Sequence, residues 1–432
     1  MKIKKKTINK KTIGIVGLGY VGLPLLLKFI NSKKYKIIGF DIDSKKIQKL
    51  KKNQSYISSI KNIDINISNN KEVIVTSRFN QIKNCNAIIF AVPTPLSSNK
   101  DPDMSYIKNA IDLSKDYISK NQLLILESTV YPGATEEFFL PIIYEKKFTL
   151  GKNFFLGYSP EREDPGNKKY NISNIVKLVS GHTDKCLKMT DNLYKSININ
   201  TYKVSNIQTA EMTKLYENIF RSVNIGLVNE MKLITDKMKM NVYEIINAAK
   251  SKPFGFQAFY PGPGLGGHCI PIDPYLLTWK AKQYDLNTKF IELSADINNS
   301  MPNYVVEKIN EGLNMLGKNF SNSKILILGV AYKKNINDIR ESPALKIMEK
   351  LLQKKSNISY HDNYIPKLNI NFKNKILKYK SEKISKKILN TADIVCLVTD
   401  HDNCDYNFIK KNSRIIVDCR GKFKMYKNII KA

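Results

Sequence analysis

The sequence predicts an α/β protein: two doubly wound domains with parallel-rich sheets, joined by a central helical domain. Three observations carry this. Short apolar runs alternate with helical runs as far as residue 200. From about 207 to 300, two stretches look helical, with apolar residues at helical spacing from Met212 through Ile246. Near residue 323 strand-like runs resume. The expected domains are 1–205, 206–310 and 311–432.

The first strand is the apolar run at Ile13, Ile15 and Val16. It leads into Gly17-Leu-Gly-Tyr-Val-Gly22, a G-x-G-x-x-G turn containing Tyr20 and Val21. Gly17 permits the tight turn, Gly19 admits a pyrophosphate, and Gly22 lets helix and strand pack closely. The helix through Leu23 to Phe29 would present its free N–H groups to the phosphates. A second strand, Lys36–Phe40, ends in Asp41, 19 residues after Gly22. That spacing suits a carboxylate on a ribose 2′-OH, so the first domain reads as Rossmann-like and favours NAD over NADP. Asp43 competes for the role, but Asp41 directly follows the apolar strand.

Ala87–Val92 and Leu123–Leu126 read as further buried parallel strands. Each ends in a turn-rich loop, Pro93–Ser97 with Thr94 and Glu127–Gly133 with Thr129. Ligands of open parallel sheets lie beyond such carboxyl ends, so both loops are expected at the cofactor site. The bland alternative for Thr129 is a helix cap.

Residues 207–250 lack proline and should be largely helical; a second helical stretch runs from about 274 to 300. Pro302 marks a break or the first turn of another helix. These helices are expected to form a dimer core. In the last third, Lys324–Gly329, Asn357–Asp362 and Ala392–Val398 read as strands, and Ile415–Asp418 is expected to close the set.

Residues 260–275 run Tyr-Pro-Gly-Pro-Gly-Leu-Gly-Gly-His-Cys-Ile-Pro-Ile-Asp-Pro-Tyr. Glycines let the backbone approach a ligand, and one thiol, Cys269, stands beyond them with Asp273 four residues on. Such a thiol suits covalent catalysis. With a nicotinamide cofactor it implies oxidation from alcohol to acid through a thioester. His268 reads as a pocket-wall residue.

Composition sets limits. Lys and Arg total 70 against 38 Asp and Glu, a formal charge of +32. The lysines are spread along the chain and not gathered in an aromatic-interleaved block, so no dedicated nucleic-acid site is expected. No run approaches a membrane span. The basic start leads into a strand, which suggests a cytoplasmic protein. The six cysteines show no metal spacing, and no metal is expected.

Together these segments resemble the UDP-glucose/GDP-mannose dehydrogenase family, from Ile13 to about Gly421. The likeness rests on Gly17–Pro24, Glu127–Gly133, Ser159–Gly166, Glu211–Asn218, the Cys269 loop, and Gly329–Lys334 with Arg340–Pro343, in that order. It implies an NAD domain, a helical dimerisation domain and a UDP-sugar domain, and two oxidations at C6 of the sugar. It makes Cys269 the nucleophile and gives Lys214 and Asn218, one helical turn apart, oxyanion stabilisation and ordering of the site. Asp273 and Thr129 would position water or polarise the reacting group, and Glu161 would assist thioester hydrolysis. Arg162, Tyr260 and Gly266 would join Glu161, Lys214 and Asn218 around the substrate. Lys333 and Arg340, after a strand turn, suggest phosphate contacts.

The Cys269 loop and Ser159–Asn167 resemble the N-acetylhexosamine branch, which implies UDP-N-acetylglucosamine as substrate and capsule or O-antigen synthesis as setting. UDP-N-acetylgalactosamine, UDP-N-acetylmannosamine and UDP-glucose stay open. A two-electron dehydrogenase would share the first domain without needing Cys269. A silent NAD-binding scaffold would not need the polar site residues.

Overall fold

The computed structural model describes residues 10–57, 60–162, 174–267 and 269–432. His268, Glu163 and the rest of the segment up to Asn167 lie outside the described residues. The chain divides into two compact units. One runs to Glu217 and adds Tyr275–Asp285; the other holds Asn218–Pro274 and Leu286–Ala432.

The first unit is built on an eight-stranded sheet. In chain order its elements are β1 (Thr12–Val16), α1 (Gly22–Ser32), β2 (Lys36–Phe40), α2 (Ser44–Lys51), β3 (Val73–Thr76), β4 (Ala87–Phe90), α3 (Ser105–Asp112), β5 (Leu123–Leu126), α4 (Ala134–Glu145), β6 (Phe155–Tyr158), β7 (Lys177–Gly181), α5 (Asp184–Ser196) and β8 (Thr201–Lys203). The strand order is β3-β2-β1-β4-β5-β6-β7-β8. Every pairing is parallel except β6 with β7. The β4, β5 and β6 residues are all buried, as continuous apolar runs require in a sheet covered on both faces. The order reverses between β1 and β4, which opens a crevice at their carboxyl ends. The core gathers Leu23, Leu26, Phe29 and Ile30 of α1 against Ile13, Ile15, Ile37 and Ile89 of the strands.

Four helices follow: α6 (Ile207–Lys237), α7 (Val242–Lys250), α8 (Asp273–Lys282) and α9 (Lys289–Met315). The expected stretch 207–250 is therefore two helices, because Asn241 caps α7 by accepting a bond from the Tyr243 N–H. The stretch 274–300 is also split, with α9 beginning at Lys289. Pro302 neither breaks this helix nor starts another; it sits inside α9. Proline removes the bond to the carbonyl of Asn298, and the Gly264 backbone packs against that carbonyl and the proline ring.

The second unit carries β9 (Lys324–Leu328), α10 (Pro343–Gln353), β10 (Asn357–His361), β11 (Lys367–Phe372), β12 (Lys375–Lys380), α11 (Lys386–Thr391), β13 (Ile394–Leu397), α12 (Tyr406–Asn412), β14 (Ile415–Asp418) and β15 (Ile429–Lys431). Its sheet order is β10-β9-β13-β14-β15, all parallel. β14 does not close the set: β15 pairs on its far side. Val305, Ile309 and Leu313 of α9 join Ile325, Ile394 and Ile415 in the core of this sheet. β11 and β12 form a separate antiparallel hairpin.

Candidate active site

The nucleotide turn has the form its glycines imply. Gly17 has φ +91°. A Cβ on Gly22 would stand 1.8 Å from the Gly17 carbonyl oxygen, so turn and helix can meet only at glycine. A Cβ on Gly19 would meet nothing within 4 Å, which leaves that side open to a ligand. Val21 is the N-cap of α1 and supplies no side-chain acceptor. In the first turn the Leu23 N–H donates to the Gly19 carbonyl and Pro24 carries no N–H, so Gly22 is the residue there whose N–H is left for an anion. Tyr20 stands exposed at this turn. These features fit the pyrophosphate of a dinucleotide.

Asp41 is buried at the end of β2. One carboxylate oxygen accepts the Leu18 N–H at 2.9 Å and lies 3.1 Å from Lys46 Nζ; the other accepts the Asp43 N–H. Asp43 has a different task, since it caps α2 through Lys45 and Lys46. At the crevice, the Thr94 hydroxyl donates to the Thr129 carbonyl at 2.6 Å, tying the β4 and β5 loops together. Thr129 is not the cap of α4; Gly133 holds that position.

Beyond β5 a buried charge cluster appears. Lys177 Nζ lies 3.2 Å from Glu127 Oε1 and 3.0 Å from Glu161 Oε2. Tyr194 donates to Glu127 Oε1. Burial pushes the Glu127 carboxyl above its ordinary range, against the pull of Lys177. Burial also opposes the charge on Lys177, but the two carboxylates outweigh it and hold its pKa up. Arg162 is engaged with the Glu217 carboxylate and the Val176 carbonyl.

On α6, Lys214 and Asn218 are both buried, one turn apart. The Asn218 amide donates to Asp273 and its oxygen accepts from Arg221. The Asp273 N–H in turn donates to the Cys269 carbonyl at 2.8 Å. Hence Asn218, Asp273 and the exposed Cys269 are brought into one bonded set. A Cβ on Gly266 would stand 2.6 Å from Tyr332 Cβ, and the Gly267 N–H donates to the Arg340 carbonyl. The cysteine loop is thereby seated on the loop that carries Lys333 and Arg340. The Arg340 guanidinium grips Asp338, and the Tyr260 hydroxyl donates to Asn247.

The chain matches all three domains of one family: the NAD binding domain over residues 11–198, the central domain over 208–300 and the UDP binding domain over 326–425. The chain belongs to the UDP-glucose/GDP-mannose dehydrogenase family. It is an NAD-dependent nucleotide-sugar dehydrogenase. Among its relatives in the family, the UDP-N-acetyl-D-glucosamine 6-dehydrogenase of Salmonella typhi is 34% identical over 83% of each chain. The UDP-N-acetyl-D-mannosamine dehydrogenase of Pyrococcus horikoshii is 33% identical over 95% of each. The solved UDP-D-ManNAc dehydrogenase structure from Pyrococcus horikoshii has a TM-score of 0.86 to this fold at 32% identity, covering 96% of both chains.

Within this dehydrogenase, sequence reasoning missed Lys177 and treated Glu127 only as part of a loop. Lys177 lies 16 residues from Glu161 and opens a strand, so no local pattern marks it. Glu211 was seen only within a motif. Its carboxylate accepts the N–H groups of Gly133 and Thr135 and the Thr135 hydroxyl, and so anchors the loop after β5.

Proposed function

We propose that this dehydrogenase oxidises C6 of a UDP-N-acetylhexosamine, UDP-N-acetylglucosamine first among them, to the uronic acid through thioester chemistry on Cys269. The observation that carries the reading is the exposed Cys269 in a loop bonded to buried Asp273, which is itself bonded to buried Asn218. The S. typhi relative and the resemblance of the Cys269 loop support the glucosamine choice. The product would feed capsule or O-antigen synthesis in the cytoplasm.

Gly17, Gly19, Tyr20, Val21, Gly22, Thr94 and Thr129 would hold NAD, and Asp41 would take its ribose hydroxyls. Bound NAD supplies a hydride acceptor for each of the two oxidations. The Cys269 thiolate adds to the C6 aldehyde. Buried Lys214 would supply the cation that the oxyanion so formed requires, and Asn218 would supply a donor. Asp273 keeps Asn218 oriented. After the second oxidation Glu161 takes a proton from the water that opens the thioester. Lys333 and Arg340 would meet the diphosphate; Tyr260, Arg162 and Gly266 would frame the sugar. A three-part division at 205 and 310 would follow these tasks, with the second boundary falling inside α9.

The test is stoichiometry with purified protein, UDP-N-acetylglucosamine and NAD⁺. Two NADH and one uronate per sugar are expected. One NADH with an aldehyde product would overturn the four-electron reading.

A further inference from the structure

We infer that Lys177, anchored by Glu127, is the positioning residue that keeps Glu161 ionised for the hydrolytic half of the reaction. The inference rests on the function proposed above. It starts from a charge count. One cation stands between two carboxylates, and the exposures differ: the Glu127 side chain is 0% exposed, Lys177 5% and Glu161 15%. Only Glu161 reaches solvent to any extent.

Two negative charges and one positive charge cannot all be buried cheaply, since each buried ion costs several kcal/mol before pairing (roughly). One of the carboxyls is the better place for a proton. Glu127 is that group. Its Oε2 has no hydrogen-bond partner among the described residues, and an unsatisfied neutral oxygen costs far less than an unsatisfied anionic one. Its Oε1 still accepts from Tyr194 and faces Lys177, which a neutral carboxyl can do. The Lys177 charge is then committed to Glu161.

The surroundings agree. The Lys177 ammonium also lies 5.2 Å from the Tyr194 ring centroid, which favours its charged form. Glu161 Oε1 accepts the Arg162 N–H at 2.7 Å, so both of its oxygens face donors. Among the described residues, Arg162 and Glu217 are further charged groups on this side, and they pair with each other. Ser159 and Tyr158 close the β6 side, where the Ser159 hydroxyl donates to the Leu178 carbonyl. Tyr194 comes from α5.

In the step served, the water oxygen bonds to the thioester carbon and the C–S bond breaks. One water proton passes to Glu161, and the sulfur leaves as the thiolate. No electrons change hands. A Glu161 that was already protonated could not accept that proton, so the cation beside it sets the acidic limit of hydrolysis.

The experiment is the pH dependence of uronate formation in the full-length enzyme. Glu161→Gln should remove the acidic limb. Lys177→Gln should move the limb upward by roughly one pH unit or more, as expected for losing an opposite charge within hydrogen-bond reach. Glu127→Leu should move it in the same direction, by letting Lys177 wander. Glu127→Gln keeps an oxygen acceptor and should bring the limb back toward wild type. If Lys177→Gln fails to fold, the Glu127 pair still decides. A Lys177→Gln profile that overlays wild type, a Glu127→Gln profile that matches Glu127→Leu, or a Glu161→Gln enzyme with its limb intact overturns the inference. Failure of wild type to make any uronate overturns the function proposed above as well, so the two failures are distinct.

Discussion

Cys269 differs from the other cysteines by exposure. Cys85, Cys186, Cys396 and Cys419 are buried, Cys404 is half-buried, and Cys269 is exposed. Burial pushes the Cys85 thiol up to about 12, which makes it inert at neutral pH. The Cys269→Ser variant should lose uronate formation by roughly 100-fold or more, because a serine hydroxyl is a poor nucleophile without a dedicated base. Its NAD⁺ affinity, read by fluorescence titration, should be nearly unchanged. Uronate production at the wild-type rate would remove the thioester from the mechanism. Glu211 gives a second residue-scale outcome. Burial pushes its carboxyl up to about 7 from an ordinary 4.5, despite three hydrogen-bond donors. The folded chain then holds this proton more tightly than the unfolded chain. Its contribution to stability is complete below pH 4.5 and is lost as pH rises through about 7. The range spans about 3 kcal/mol. Melting temperatures followed across this window should fall less steeply in Glu211→Gln than in wild type. Parallel curves would show that the carboxyl is already ionised in the folded protein, held so by Gly133 and Thr135.

At the scale of elements, legibility followed the physics of each segment. Lys36–Phe40 and Leu123–Leu126 were readable to the residue, because buried parallel strands are continuous apolar runs bounded by turns. The β11–β12 hairpin went unread. Lys367–Phe372 alternates polar and apolar residues, but its turn is Lys373-Asn374 and not an Asn-Gly pair. Both turn residues have positive φ, 47° and 61°. Pro302 was misread because its ring sits within α9 against a distant glycine, Gly264, a packing that no local pattern shows. The α6 helix carries a prediction. Phe220, Leu227, Met231 and Ile234 are exposed at spacings that fall on one face, while Ile219 and Val228 face inward. An apolar stripe of this length calls for a partner, and we expect it to be a second copy of this chain. Leu227→Glu combined with Ile234→Glu should shift the protein from dimer to monomer in light scattering at micromolar concentration. A wild-type monomer would place the dimer contact, and the purpose of the stripe, elsewhere.

For the whole molecule, the charge and the site ask different questions of the substrate. The formal charge of +32 comes from lysines spread along the chain, so it attracts anionic nucleotides generally and does not tell one sugar from another. Discrimination must come from contacts at C2 and C4. The nucleotide turn and the thiol beyond a glycine loop stand out by residue type and spacing, whereas Lys214 and Asn218 were singled out by the family resemblance. The groups that support them were not legible. Lys177 meets Glu127 across 50 positions and belongs to a different strand, so only the folded sheet brings the pair together. Residues that read the sugar are of this second kind. The relatives divide accordingly, with N-acetylglucosamine and N-acetylmannosamine enzymes similar to this chain at 34% and 33% identity. These two sugars differ in configuration at C2 alone, so a single polar contact can exchange them. An epimer that loses one such contact is disfavoured by about 1–3 kcal/mol, or roughly 5- to 150-fold. Steady-state kinetics on UDP-N-acetylglucosamine, UDP-N-acetylmannosamine, UDP-N-acetylgalactosamine and UDP-glucose should therefore give the highest kcat/KM for the glucosamine sugar, with two NADH formed from each substrate that reacts. A preference for the mannosamine epimer would move the C2 contact and keep the thioester route. A preference for UDP-glucose would mean that no pocket accepts the N-acetyl group, and it would overturn the N-acetylhexosamine reading.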